Sequence, residues 1–158
     1  MRTKTAKIRE IIPDSKHNST LVTKLINRSM LSGKKTVAQK HIYQALKQVS
    51  SATNKKPVEA LEEALRNITP QMEVRTRRVG GASYQVPMPV RSRRGMSLAI
   101  RWLVAEANKR ANSQYHTFGD KLAAELADAL ANTGGAIEKK LTSHRMAEAN
   151  KAFSHFRW

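Results

Sequence analysis

Hydrophobic residues recur every three to four positions along most of the chain, which predicts a mainly helical protein. The first helical segment follows polar N-cap candidates at 18–20, presents apolar residues from Leu21 to Leu31 and is expected to end at Gly33. Thr36 is the expected cap of a second helix, and Pro57 suits the first turn of a third. The inward positions predicted for the second and third helices are Ala38, Ile42, Ala45, Leu46, Val49, Val58, Leu61, Leu65 and Ile68.

Three more helices are predicted in the second half of the chain. The fourth covers about Gly95 to Arg110, and the fifth begins where Thr117 and Asp120 have the spacing of a capping box. Gly134-Gly135 separates the fifth helix from the sixth, which runs from Ala136 to about Asn150. The apolar face predicted for the sixth helix is thin and consists of Ile137, Leu141 and Met146.

Between the third and fourth helices the hydrophobic period changes from that of a helix to that of a strand. Apolar and polar residues alternate from Val74 to Arg77 and again from Tyr84 to Val90, which predicts two half-buried strands. Gly80-Gly81 supplies the positive φ that a tight hairpin needs. Pro87 and Pro89 are two residues apart, so their missing N–H groups would face one edge and prevent a third strand from pairing there.

The predicted fold class is mainly α, as a bundle of about six helices with a protruding two-stranded β-ribbon between the third and fourth helices. The length of 158 residues suits one domain with a substantial core. A basic N-terminal arm is expected at 1–16, followed by a single helical domain at 17–158 with the ribbon at about 72–90. The arm carries Arg2, Lys4, Lys7, Arg9 and Lys16.

The net charge of the chain limits the possible functions more than its fold class does. The chain has 29 Lys and Arg against 12 Asp and Glu, for a net charge of +17 and a pI near 10.7. Two long stretches, Ser15 to Val58 and Val74 to Ala105, contain no acidic residue. Such an excess of positive charge predicts a polyanionic partner, either nucleic acid or an anionic membrane.

No apolar run approaches the length of a membrane span. The chain also has no cysteine for disulfides or thiolate metal sites.

Candidate catalytic and metal-binding chemistry is weak. Ser, His and Asp are present, but none lies in a nucleophile elbow, and the five histidines lack metal-ligand spacing. Gly80-Gly81 lacks the Lys-Ser/Thr of a phosphate-binding loop, so the hairpin interpretation is favoured. We therefore predict no enzymatic activity, no cofactor and no metal site.

The basic elements offer better candidates for a site. Lys34 and Lys35 fall at a helix junction, where they could meet a phosphate or simply form a solvated turn. Cations just before a helix N-terminus oppose the helix dipole, so an outside anion is favoured beside Arg91, Arg93 and Arg94. The ribbon adds Arg75, Arg77 and Arg78, and an ordinary solvated hairpin is the alternative there. The aromatic C-terminus is expected to pack on the body or on a partner.

Three long motifs closely resemble one family. They are RRVGGASYQVPMPV at Arg77–Val90, LAIRW at Leu98–Trp102 and HRMAEANKAFSHFRW at His144–Trp158. IPDSKHNS near the start and GKK at Gly33–Lys35 support them. The chain thereby resembles, nearly end to end, the bacterial and organellar form of small-subunit ribosomal protein seven. That family folds as six helices with a ribbon between the third and fourth, which agrees with the elements predicted above.

The resemblance implies a structural constituent of the small ribosomal subunit that binds its rRNA directly and nucleates assembly of the head, the 3′ major domain. It implies that the ribbon reaches the exit (E) site, near the E-site tRNA and the mRNA, and that the tail lies near the neighbouring ribosomal protein numbered eleven. The implied rRNA-binding residues are Arg2, Lys4, Lys7, Arg9, Lys34, Lys35, Arg75, Arg91, Arg93 and Arg94. The residues implied near tRNA and mRNA are Arg77, Arg78, Gly80 and Gly81, and those facing a protein partner are Phe153, Phe156, Arg157 and Trp158.

The resemblance places the chain in a bacterial cytoplasmic ribosome or an organellar one, without a membrane partner. The loop from Ala111 to Gly119 departs from the family, because it is longer than usual and lacks the usual Lys-Ser-Met pattern. Two other functions compete with this interpretation. One is an architectural DNA-binding protein that uses the basic ribbon in a groove, and the other is an RNA-acting enzyme.

Overall fold

The computed structural model describes residues 10–156 and places one β-hairpin between the third and fourth α-helices, which confirms the predicted fold class. The elements are α1 (Thr20–Ser29), α2 (Lys35–Thr53), α3 (Pro57–Ile68), β1 (Met72–Val79), β2 (Ala82–Pro89), α4 (Ser92–Lys109), α5 (Phe118–Leu130), α6 (Gly135–Ala149) and a C-terminal 3₁₀ helix (Lys151–Phe156). The predicted site residues that lie outside the described residues are Arg2, Lys4, Lys7, Arg9, Arg157 and Trp158.

Local capping chemistry sets several helix starts as predicted. The Ser19 hydroxyl accepts a hydrogen bond from the Leu21 N–H at 3.3 Å and caps α1. The Thr117 hydroxyl accepts from the Asp120 N–H at 3.2 Å and donates to the Asp120 carboxylate at 2.6 Å. This confirms Thr117 as the cap of α5, but the Asp120 carboxylate bonds the Thr117 hydroxyl rather than the backbone N–H that a full capping box uses. Pro57 is the first residue of α3, where its missing N–H costs nothing.

Two predictions about the junction between α1 and α2 are wrong. α1 ends at Ser29 rather than near Gly33, and the Met30 N–H caps it by donating to the Ile26 carbonyl. Leu31 therefore lies beyond the helix and is 80% exposed, instead of facing the core. The second helix does not use Thr36 as a cap. It begins at Lys35, with Lys34 at the N-cap position and no side-chain capping bond.

The starts and faces of the later helices also differ from expectation. α4 begins at Ser92, three residues before the predicted start, so only two residues separate it from the end of the ribbon at Pro89. On α6, Leu141 and Met146 are 55% and 47% exposed, so the predicted inward face is wrong for both. Small residues carry the contact instead, because they let the helix lie close to its neighbours. The buried residues of α6 are Ala136, Ile137, Ser143 and Ala147.

α5 lies at the centre of the packing and contacts α2, α3, α4 and α6. Gly119 allows the close approach to α2, because a Cβ there would stand 3.1 Å from the His41 carbonyl oxygen. The inward positions predicted for α2 are all buried. The largest fully buried hydrophobic side chains are Leu25, Ile26, Ile42, Leu46, Leu61, Leu65, Ile68, Leu103, Leu122 and Leu126. No helix within residues 10–156 is long and apolar enough to cross a membrane.

The ribbon is an antiparallel two-stranded sheet whose register pairs Val79 with Ala82 across Gly80-Gly81. The Val90 N–H donates to the Gln71 carbonyl at 2.9 Å, so alternate pairs from Gln71 onward carry the hydrogen bonds. Pro87 and Pro89 fall at the other positions. Their ring nitrogens therefore face the free edge, as the spacing predicted.

Contacts from the C-terminal elements fasten the base of the ribbon to the body. The Ser143 hydroxyl of α6 donates to the Met72 carbonyl at 3.0 Å, and the Gln71 N–H donates to His144 Nε2 at 3.0 Å. Burial, and then the charge of Lys140, lower the pKa of His144, which favours the neutral ring that this bond requires. The ribbon therefore has a fixed base, while its tip at 80–83 is exposed.

A buried ion cluster joins α4, α5 and α6. Arg110 donates from Nε and Nη2 to Glu125 at 3.0 and 2.7 Å, and it also contacts the Asp128 carboxylate. The other oxygen of Glu125 accepts the Ala136 N–H at 2.9 Å. Burial alone would lower the pKa of Arg110, but hydrogen bonds and charges from Asp128 and Glu125 raise it. The guanidinium thus stays charged inside the bundle.

We expect Arg110→Ala to destabilise the fold by about 3–5 kcal/mol, because Glu125 is only 2% exposed and would become an uncompensated buried charge. Urea unfolding measures this change. Lys109→Ala is the matched control, since the Lys109 side chain is 62% exposed and its pair with Glu106 contributes at most about 1 kcal/mol. Equal losses from the two neighbouring substitutions would contradict the assignment of Arg110 as a buried structural residue.

Candidate nucleic-acid interface

A groove of about 310 Å³ lies between α1 and α4 and is lined by unpaired cations. The four that line it, which we call the groove cations, are Lys24, Arg28, Arg93 and Arg101. Asn27 and Ser97 add polar groups, and the floor is apolar. None of the described lining residues is acidic, and within residues 10–156 the groove cations form no ion pair. Such a site attracts phosphate groups.

Helical spacing explains how the groove cations converge. Lys24 and Arg28 are four residues apart on α1, while Arg93 and Arg101 are two turns apart on α4. Each pair therefore lies on one side of its helix. Only Arg93 was among the predicted rRNA-binding residues. Helical spacing within the acid-free stretches was the available signal for Lys24, Arg28 and Arg101. Which helices come together is decided only by the tertiary structure.

Two helices also begin with exposed cations. Lys34 is the N-cap of α2 and Lys35 its first residue, and the first turn contains no acid. Arg91 is the N-cap of α4, with Arg93 and Arg94 in its first turn and again no acid. Arg93 and Arg94 are thus inside the helix rather than before it. Free N–H groups and these side chains offer complementary contacts to an anion.

A single buried carboxylate, that of Glu73, forms ion pairs with two of the predicted site residues. Glu73 accepts from Arg75 Nε at 2.7 Å and from Arg94 Nε at 2.6 Å, and it is 7% exposed. Burial alone would raise the pKa of Glu73, but hydrogen bonds and charges from Arg94 and Arg75 outweigh it and lower the pKa. The arginines of the acid-free stretch from Val74 to Ala105 were expected to lack a counter-charge, and this is wrong for Arg75 of the ribbon and Arg94 of α4. Glu73 lies just outside the acid-free stretch, and strand alternation puts it on the same face as Arg75.

The two arginines nearest the tip of the ribbon, Arg77 and Arg78, form no ion pair within residues 10–156. Arg77 is paired across the strands with Tyr84, and Arg78 with Ser83. Successive strand residues face opposite ways, so each face of the ribbon presents one of these arginines. Gly80-Gly81 has φ values of 56° and 90°, which confirms the left-handed turn. The tip is narrow and cationic.

The chain is similar throughout to known proteins of one family. The family model described as ribosomal protein S7p/S5e matches residues 1–151. The small ribosomal subunit protein uS7 of Dictyoglomus thermophilum is 54% identical over 150 residues, which is 95% of this chain and 94% of that protein. The uS7 of Symbiobacterium thermophilum is 55% identical over the same shares. The uS7A/uS7B protein of Cereibacter sphaeroides is 52% identical over 97% of this chain and 96% of that protein.

The chain belongs to the ribosomal protein S7p/S5e family. This confirms the resemblance found from the motifs. Within the described part of this S7p/S5e chain, no group of three His, Asp or Glu residues could hold a metal ion.

The aromatic C-terminus of this S7p/S5e chain packs on the ribbon. The Tyr84 ring lies 5.2 Å from that of Phe153 and 5.3 Å from that of Phe156, measured between ring centroids. Both phenylalanines belong to the 3₁₀ helix and are half-buried. The tail and the ribbon therefore present one continuous surface.

We expect the contribution of Glu73 to stability to depend on pH. Its folded-state pKa is lowered, so the stabilisation is full above the unfolded pKa of about 4.3 and is lost as pH falls through the folded value. Glu73→Gln should cost on the order of 1 kcal/mol at neutral pH, because Arg75 and Arg94 are half-exposed and screened. The difference in unfolding free energy between Glu73→Gln and the parent protein should narrow as the pH falls below the unfolded pKa of Glu73.

Urea unfolding at a series of pH values measures the Glu73→Gln gap. Glu62→Gln is the control, since Glu62 is exposed and forms no ion pair within residues 10–156. A gap that stays constant with pH would show that Glu73 acts through packing rather than through its charge.

Proposed function

We propose that this chain is a structural, non-catalytic constituent of the small ribosomal subunit that binds small-subunit rRNA directly and nucleates assembly of the head. The observation that carries the proposal is the acid-free groove between α1 and α4, taken together with membership of a ribosomal protein family. The relatives named above are small-subunit proteins of the ribosome. Family membership gives no support to the architectural DNA-binding alternative or to an RNA-acting enzyme.

Charge neutralisation on a rigid helical surface is the proposed mechanism. The groove cations take phosphates of folded rRNA, and Lys34, Lys35 and Arg91 extend the basic surface along the two helix starts. Because the core holds these helices in place, the spacing of the cations is fixed before RNA arrives. Aromatic residues make up 5% of the chain, so specificity comes mainly from RNA shape.

The remaining candidate residues extend the proposal to other partners. The exposed tip with Arg77, Arg78 and Gly80-Gly81 approaches the E-site tRNA and the mRNA. Phe153 and Phe156, with Arg157 and Trp158, face the neighbouring platform protein numbered eleven. Arg2, Lys4, Lys7 and Arg9 bind rRNA as a basic arm. Arg75 and Arg94 contact rRNA from their exposed sides while Glu73 holds them in place. The ribosome concerned is cytoplasmic in a bacterium or lies in an organelle.

We expect binding to a transcript of the 3′ major domain to weaken steeply with salt, because phosphate neutralisation releases counterions. The triple substitution Arg28→Ala, Arg93→Ala and Arg101→Ala should weaken binding and reduce the slope of log K against log salt by roughly one for each cation removed. Filter binding at several salt concentrations measures both. Lys139→Ala, an exposed cation on α6, is the single-substitution control. An unchanged slope in the triple variant would remove the groove from the binding site.

We expect Arg77→Ala with Arg78→Ala to leave the transcript affinity nearly unchanged, because the tip lies beyond the body that carries the groove. Reconstituted small subunits with this variant should lose deacylated tRNA from the E site faster than subunits with the parent protein. Dissociation of labelled tRNA measures the rate. Loss of transcript binding by the double variant would place the ribbon tip in the primary rRNA site instead.

A further inference from the structure

A second concavity, of about 410 Å³, lies beside the groove and shares Arg28 with it. We call it the apolar pocket, and its hydrophobic lining includes Leu31, Val37, Val104 and Phe118. Its volume falls in the range of small-molecule sites, roughly 300–1,000 Å³. The pocket is therefore large enough to receive a flat aromatic group.

The turn between α1 and α2 and the first turn of α2 each leave an apolar side chain exposed at this pocket. Leu31 is 80% exposed and Val37 is 48% exposed. Ser32 and Gly33, which directly follow Leu31, have φ values of 50° and 74°. A left-handed conformation at a non-glycine residue is unfavourable, so the turn accepts strain while leaving Leu31 uncovered. Exposed apolar side chains gathered around a concavity are typical of a binding surface.

The charge around the pocket selects the occupant. Arg28 and Lys34 belong to its lining, and none of the described lining residues is acidic. Asn108, also in the lining and exposed, makes no side-chain hydrogen bond within residues 10–156, so its amide can both donate and accept. An occupant must therefore combine an apolar surface, hydrogen-bonding edges and negative charge. An unstacked nucleotide has all three.

We propose that the apolar pocket receives one unstacked nucleobase of the RNA whose phosphates occupy the groove between α1 and α4. This inference rests on the proposed function and deepens it. Arg28 joins the two sites, so a single strand can place a phosphate against Arg28 and turn the adjoining base towards Leu31 and Val37. The edge of that base meets Asn108. In this way a chain with few aromatic residues recognises a base through aliphatic side chains.

The test compares two leucine substitutions on the full chain, with the 3′ major domain transcript as the probe. Leu31→Ser removes the most exposed wall of the pocket. Leu141→Ser is the matched control, because Leu141 is 55% exposed on α6 and does not line the pocket. Both side chains lie largely in solvent, so both variants keep the parent melting temperature, which circular dichroism checks.

Leu31→Ser should weaken transcript binding roughly 5–30-fold, the lower part of the range for loss of one stacked base, because Leu31 is aliphatic rather than aromatic. The slope of log K against log salt should stay unchanged, because a base contact releases no counterions. Arg28→Ala should reduce that slope by about one. Leu141→Ser should match the parent protein in both affinity and slope.

Footprinting identifies what occupies the pocket. Base-specific chemical probing of the transcript should show one unpaired base that the parent protein protects and that Leu31→Ser exposes again. Hydroxyl-radical protection of the backbone should be the same for both proteins, since the groove cations are intact.

Failure of the nucleobase proposal can be distinguished from failure of the proposed function. If the parent protein binds the transcript and Leu31→Ser binds equally well with an identical base footprint, the nucleobase proposal is overturned and the pocket belongs to another partner, such as a protein side chain. If the parent protein does not bind the transcript at all, the proposed function fails and the nucleobase proposal fails with it.

Discussion

Repulsion between like charges is the constraint on which the arrangement of this protein depends. A chain with a net charge of +17 gathers Lys24, Arg28, Arg93 and Arg101 around one groove, and no carboxylate of residues 10–156 pairs with them. Burial of large aliphatic side chains in the helices beneath must outweigh that repulsion. A polyanion in the groove would turn the same charges from a cost into the main source of binding energy. Within residues 10–156 the groove cations thus have no acidic partner, which supports their proposed role in rRNA binding.

The carboxylates that form ion pairs in the described part of the chain do so away from the groove. In the described part of the chain, six acidic residues form ion pairs, and none of them pairs with a groove cation. Glu125 ties three helices together through Arg110 and the start of α6. Glu73 fixes Arg75 of the ribbon to Arg94 of α4. Because no described lining residue of the groove is acidic, no carboxylate there weakens its attraction for phosphate.

The ribbon shows how a two-stranded sheet, marginal by itself, becomes a fixed projection. Its base is bonded to Ser143 and His144 of α6, and the Glu73 bridge connects it to α4. Farther out, Tyr84 packs on two phenylalanines of the C-terminal helix. Arg77 is level with Tyr84 in the register, and the glycine tip with Arg78 extends beyond this support. The prolines on the free edge keep the projection from acquiring another strand.

The sequence by itself determined the features that depend on neighbouring residues. These include the caps at Ser19 and Thr117, the first turn at Pro57, the hairpin at Gly80-Gly81 and the buried face of α2, because capping and periodicity are local. Its motifs also sufficed to assign the family. Tertiary structure alone decided which faces meet: it joined α1 to α4 as a groove, directed Glu73 towards two arginines and left Leu31 outside the core. Hydrophobic periodicity tells which side of a helix is buried, but the neighbour against which that side packs is set by contacts between residues far apart in the chain.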